Sequence, residues 1–296
     1  MREIISLIQK TFSFLAVYLF STLHASAGEG DISKSGPVQT RFVTEREVHL
    51  DSKEIEIGWW MKRDPGWHTY WESPGDVGVP PTLSWQLPQG VNFEKLTLSP
   101  PQLVRMSQVF AHGHKGESLF LCSFKIDREL IEGETLDFEA NASWLACSKT
   151  CLPSFAKLKI SLNVSEKPLV DSKWRPYFLN FRNNLPVLVP ENWEPSAIQR
   201  LSEKSDALIS LMFPLETKGS LPGMRFFGKG RMIRSNQIQI PRIMKNENGK
   251  QLIEISMELS PWRNTEQNRL EGLLYNSSGW PNTKSKFYQI DVPILQ

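Results

Sequence analysis

The sequence predicts an all-β protein of two tandem β-sandwiches joined by a short helical linker. Three observations carry that expectation. Apolar and polar residues alternate with period two in segment after segment, the pattern of half-buried antiparallel strands. The 20 prolines and 18 glycines supply frequent turns and leave little room for long helices. A polar, proline-containing exit near Ser165-Glu166-Lys167-Pro168 then separates two strand-rich halves. With 40% hydrophobic and 22% charged residues among 296, the chain has enough apolar side chain for packed cores, which excludes wholesale disorder. A net charge of +2 argues against a surface built to hold nucleic acid or anionic lipid. Three cysteines are too few for a disulfide-dense mini-scaffold or a four-thiolate zinc site.

The elements follow in chain order. Arg2 and Lys10 flank the start, Thr11–Leu23 is uncharged and apolar, and Ala25-Ser26-Ala27 offers small residues for cleavage. This reads as a secretory signal over 1–27, cleaved near Ala27, and it places the mature protein in the periplasm or outside the cell. The other reading is an uncleaved anchor, although the apolar run falls short of the roughly 20 residues a span requires. A first sandwich is expected over 36–166. In it Ile55, Ile57, Trp59 and Met61 alternate with polar or small neighbours, as do Phe120, Cys122, Phe124 and Ile126. Leu136, Phe138, Ala140, Ala142 and Trp144 do the same, followed by Leu158, Ile160, Leu162 and Val164. Asp171 or Ser172 can cap a short helix bearing Trp174, Phe178 and Phe181, provided Pro176 falls in its first turn. A second sandwich is expected over 172–296. Its strands carry Ile209, Leu211 and Phe213, then Ile253, Ile255, Met257 and Leu259, then Tyr288, Ile290, Val292 and Ile294. This half contains neither Cys nor His, so it carries little redox or acid–base equipment.

The strongest chemical feature is Trp144-Leu145-Ala146-Cys147-Ser148-Lys149-Thr150-Cys151-Leu152-Pro153, a strand running into a C-x3-C turn. A ring this small removes only about 2 kcal/mol of chain entropy, against about 4.7 for a 100-residue loop. Such a poor staple suits a reversible switch, with Lys149 positioned to favour a thiolate, but a structural disulfide fits the spacing equally. Cys122, on an apolar strand face, reads as a buried core thiol. A second feature is the aromatic run 66–81, with His68 as a candidate base and Tyr70 beside it, and turns at Pro74-Gly75-Asp76 and Gly78. A third is Phe110-Ala111-His112-Gly113-His114-Lys115-Gly116. Its H-x-H spacing could hold copper or zinc with the thiolates as partners, and otherwise reads as a polar glycine loop. No GxSxG, HExxH, P-loop or GxGxxG pattern is present, and no cofactor is expected.

Taken together, GWHTYWESPGDVGVPPTLSW (66–85) and SWLACSKTCLP (143–153) resemble the N-terminal periplasmic domain of the DsbD/ScsB family of thiol:disulfide interchange proteins. The order of motifs is the same over about 38–165, and a weaker likeness to ScsB-like members extends over 172–296. The resemblance implies immunoglobulin-like sandwiches and a redox pair at Cys147 and Cys151. It implies that Cys151 forms the mixed disulfide and Cys147 resolves it, and that Phe110 belongs to an aromatic cap loop shielding the pair. The partners implied are a membrane thiol reductant of the DsbD-like transmembrane type and thioredoxin-like exported proteins, which makes the chain a component of protein-disulfide reduction. Family members continue into a multi-helix membrane domain and a thioredoxin-like domain. Neither is visible in this sequence, so the reductant is expected to be a separate protein. Two other functions stay open: a non-catalytic exported interaction module with an inert disulfide, and a copper-tolerance protein binding metal through His112, His114 and the thiolates, since ScsB-like members are linked to copper tolerance.

Overall fold

The computed structural model describes residues 28–171, 173–200, 208–215 and 221–295. The signal segment expected at 1–27 and the alternative cap Ser172 lie outside the described residues. In the first half the strands are β1 (Ser33–Ser35), β2 (Val38–Val43), β3 (Val48–His49), β4 (Glu54–Arg63), β5 (His68–Tyr70) and β6 (Thr82–Gln86). They continue as β7 (Val91–Thr97), β8 (Gln102–Met106), β9 (Val109–Lys115), β10 (Glu117–Ile126), β11 (Thr135–Cys147) and β12 (Cys151–Ser165). One sheet runs β1-β2-β4-β10-β7. The other runs β3-β12-β11-β5-β9-β8, with β6 also paired to β11.

The two sheets close over one core because their apolar faces have the same period. Ile57, Trp59, Phe120, Cys122 and Phe124 from the first meet Phe138, Ala140, Leu158 and Ile160 from the second, all essentially inaccessible. Trp59 is central: its ring meets Phe120 and Trp144 edge-on, and its Nε1 donates to Thr40 Oγ1 at 2.7 Å. Residues on the opposite faces of β4 and β10 are also apolar, because a helix covers them. This helix, α1 (Arg175–Asn184), starts after Trp174 with Pro176 in its first turn, where the missing N–H costs nothing. Asp171 Oδ1 accepts from the backbone N–H groups of Lys173 and Trp174, so the expected acidic residue closes the approach to the helix. Trp174, Phe178 and Phe181 pack on Val43, Trp60, Leu119 and Leu121.

The second half contributes β13 (Val187–Leu188), β14 (Ser196–Arg200), β15 (Leu208–Pro214), β16 (Met224–Gly228), β17 (Pro241–Lys245), β18 (Gln251–Glu258), β19 (Arg269–Asn276) and β20 (Phe287–Leu295). They form one path, β16-β19-β20-β14-β15-β18-β17, with β13 on β20. Ile209, Leu211, Phe213, Ile253, Ile255 and Ile290 fill its core. The architecture is therefore all-β and sandwich-like in both halves, as the alternation requires.

The halves touch directly. Phe227, Leu273 and Phe287 extend the core of the first sandwich, and Lys229 pairs with Glu72 at 2.9 Å. Among the described residues no helix is long and apolar enough to cross a membrane.

One local expectation is corrected. The His112-Gly113-His114 segment is not a polar loop but the middle of β9, paired to β5 and β8. Gly113 makes this possible: a Cβ there would lie 2.1 Å from the carbonyl oxygen of Thr69, so only glycine allows the two backbones to close.

Candidate functional site

β11 and β12 form a long antiparallel hairpin in which Leu136 faces Leu162 and Cys147 faces Cys151. The turn Ser148-Lys149-Thr150 is closed by a Ser148 N–H bond to Thr150 O at 2.9 Å. Cys147 and Cys151 are disulfide-bonded across the last pair, with Cα atoms 4.1 Å apart. The third cysteine, Cys122, is sealed in the core, and burial pushes its thiol well above the usual range. It is no thiolate nucleophile.

The two bonded sulfur residues differ in environment. Cys147 is fully buried in a small cluster with Tyr70, Val104 and Ala111. Cys151 lies at the rim of that cluster, half-buried, with Val77, Met106 and Leu145. The β8–β9 hairpin reaches over it, and Met106 Sδ lies 3.2 Å from Cys151 Sγ. A disulfide sulfur carries no proton, so this is a sulfur–sulfur contact rather than a hydrogen bond.

Phe110 stands on the same hairpin, opposite Arg105, whose guanidinium lies 5.5 Å from the ring centroid. Arg105 also donates to Ser107 O at 2.6 Å and to Gln108 Oε1 at 3.0 Å. Phe110 thus braces the hairpin, and the side chain resting on Cys151 is Met106. Nothing in the local sequence pattern marks Met106, because its role depends on where the hairpin folds.

His68 lies directly opposite Cys147 in the β5–β11 pairing, so the two side chains share a face. Its ring meets Tyr70 edge-on. Burial, together with the positive charges of Lys115 and Arg63, holds its pKa down at about 4. His68 is therefore neutral at pH 7. Tyr70 is buried beside it, and burial raises its phenol pKa. Arg63 is fully enclosed but well satisfied: its Nε donates to Thr69 Oγ1 at 2.9 Å and its Nη1 to Ser118 Oγ at 3.0 Å. Burial lowers its pKa to about 9, which leaves it charged at neutral pH. Lys149 is exposed in the turn and lines a groove of about 380 Å³ with Trp67 and Arg105 next to the disulfide.

His112 and His114 are buried in the interior of β9. A ring nitrogen of His112 lies 3.0 Å from Ser73 O, and one of His114 lies 2.8 Å from Ser99 O. Desolvation lowers their pKa values to about 4 and about 3. No group of three metal-ligating side chains exists among the described residues, and the disulfide sits beside His68 instead. The histidines make a pH prediction. Their folded pKa values lie below the unfolded value of about 6.5, so the unfolded chain binds more protons between pH 4 and 6.5. Stability is fully present above pH 6.5 and is lost as pH falls toward 4. Urea midpoints measured across that window should drop, and His112→Gln should flatten the profile. A profile level from pH 7 to 4 would contradict the burial of neutral imidazoles.

The first sandwich thus ends in a hairpin that carries a bonded cysteine pair, one member buried and the other half-buried. Residues 39–162 match the family model for the N-terminal domain of the thiol:disulfide interchange protein DsbD. That segment contains both cysteines and nearly all of the first sandwich, and it is the family the motifs resemble. No curated protein matches the chain. Among solved structures, the N-terminal periplasmic domain of ScsB from Proteus mirabilis aligns at 17% identity and a TM-score of 0.59, covering 91% of this chain and 98% of that one. This likeness shows a shared fold across both sandwiches. A protein of unknown function from Porphyromonas gingivalis W83 aligns over 88% of this chain and 100% of that one, at 12% identity and a TM-score of 0.23, too low to carry weight.

Proposed function

We propose that this protein is an exported thiol:disulfide electron carrier, cleaved near Ala27, that works through Cys147 and Cys151. One observation supports this most: Cys147 is buried while Cys151 is half-buried beneath Met106, so Cys151 is the member an incoming thiolate reaches more readily.

In the charging half-reaction a dithiol donor, expected to be a membrane protein, attacks Cys151 Sγ. The Cys147–Cys151 bond breaks, Cys147 leaves as a thiolate, and a mixed disulfide forms on Cys151. The donor's second thiolate then attacks its own bonded sulfur and releases the Cys151 thiolate, so the donor departs oxidised by two electrons. In the delivery half-reaction the Cys151 thiolate attacks the disulfide of a thioredoxin-like client, whose other sulfur leaves as a thiolate. Cys147 then attacks Cys151 Sγ, re-forms the internal bond and expels the client's second sulfur. The released thiolates take protons from water. Neutral His68 shapes the pocket beside Cys147. Leu152, next to Cys151 on β12, is 41% accessible and gives a partner an apolar contact beside the pair.

The test is exchange itself. The reduced chain, mixed with an oxidised thioredoxin-like protein and quenched with an alkylating thiol reagent, should transfer two thiols per molecule. A chain that reduces no such partner, while its cysteines remain reducible by small thiols, would be an interaction module with an inert bond.

A further inference from the structure

The second sandwich has no cysteine and no histidine, yet it reaches the site through one polar junction. The segment between β16 and β17 presents Ser235, almost completely buried, and Asn236, exposed. Ser235 Oγ donates to Phe110 O at 2.9 Å, and the Phe110 N–H donates to Asn236 Oδ1 at 2.9 Å. Both free backbone groups of Phe110 are thus held by the other half of the molecule. The same segment is fixed from the far side by Asp76. The Asp76 N–H donates to Ser235 Oγ at 2.9 Å, while Asp76 Oδ2 accepts from the backbone N–H groups of Ser235 at 3.1 Å and Asn236 at 3.3 Å. Ser260 Oγ adds a bond to Asp76 Oδ1 at 3.3 Å. The approach is so close that a Cβ on Gly75, at φ +92°, would lie 2.2 Å from Ser235 Cβ.

Both first-sandwich segments of this junction lead to the disulfide. Asp76 is followed by Val77, which packs in the cluster around Cys147 and Cys151. Phe110 pairs with Arg105, next to Met106, whose sulfur lies on Cys151. We infer that the second sandwich is a clamp on the methionine lid: Ser235 and Asn236 are positioning residues that hold the β8–β9 hairpin closed over Cys151. This rests on the carrier reading, in which the disulfide opens in use, and assigns the second sandwich its part in that site. Phe110 lies one residue pair from the hairpin's tip, where Met106 and Val109 close the turn. Breaking these few hydrogen bonds frees the tip and its methionine, while Val104 and Ala111 further along the hairpin stay packed with Cys147.

The experiment reads chemical access and needs no protein partner. The oxidised full chain is reduced with dithiothreitol, and thiol appearance is followed by alkylation and mass shift. Asn236→Ala and the pair Ser235→Ala/Asn236→Ala should accelerate reduction, the pair by about tenfold. Met106→Ala should give a similar acceleration, and adding the clamp substitutions to it should gain almost nothing, because both act on one lid. Should the buried Ser235 substitution compromise folding, the exposed Asn236→Ala variant still decides. Rates within about twofold of the unmodified chain, or an acceleration that adds in full to that of Met106→Ala, would overturn the clamp. A chain that is accelerated yet captures no partner loses the carrier reading and keeps the clamp. One that captures a partner without acceleration loses the clamp alone.

Discussion

Cys147→Ser will accumulate a covalent complex with a thioredoxin-like partner, and Cys151→Ser will not. The reason is the unequal burial of the pair. In the proposed carrier Cys151, the half-buried member, forms the intermolecular bond, and Cys147, buried beside His68, Tyr70 and Val104, resolves it. Removing Cys147 leaves the mixed disulfide with no internal thiol to break it, so its lifetime rises from transient to isolable. Removing Cys151 leaves a buried thiol that no partner reaches. Non-reducing gels of each variant, incubated with an oxidised partner or expressed in an exporting host, would show a new band for Cys147→Ser that disappears with dithiothreitol. Equal trapping by both variants, or by neither, would contradict the assignment of roles.

Trp59→Ala should cost about 3–5 kcal/mol of stability, the range for removing a large aromatic from a packed interior. Trp59 is inaccessible, lies between Phe120 of one sheet and Trp144 of the other, and satisfies its own N–H on Thr40. Alanine would leave a void at the meeting point of the two sheets, and no neighbouring strand can close it without breaking its ladder. Trp144 lies on β11, the strand that ends at Cys147, so the loss should also loosen the mount of the redox pair. Denaturant unfolding would measure the loss as a fall in midpoint with little change in slope. A cost near 1 kcal/mol would mean that the interior is far less tightly packed than the side chains indicate.

The strands of both cores were legible because alternation is a local signal. β4, β10, β11 and β12 show it plainly, and the fully apolar stretch Leu119–Cys122 is explained once α1 covers the second face of β10. The helix was legible from its aromatic spacing and from a proline tolerated in its first turn. The cysteine pair was legible from a strand running into a short polar turn. What escaped depends on partners distant in sequence. Asp76 read as an ordinary turn residue, yet its acceptors serve Ser235, 159 positions away. His112 and His114 read as a polar glycine loop, because nothing nearby signals that Gly113 lets β9 close on β5 and carries both rings inside. Met106 has no local mark, since only the fold places its sulfur on Cys151. Phe110, singled out as the shield, has its backbone gripped by the second sandwich and its ring under Arg105.

The proposal as a whole depends on a bond the cell can open. The midpoint potential of the Cys147–Cys151 couple, measured by equilibration of the full chain with glutathione or dithiothreitol buffers, tests that directly. A carrier between a membrane dithiol and exported clients should lie between about −270 and −120 mV, the range of exchange-active protein dithiols. A value below about −300 mV would mark a permanent structural bond and remove the carrier function.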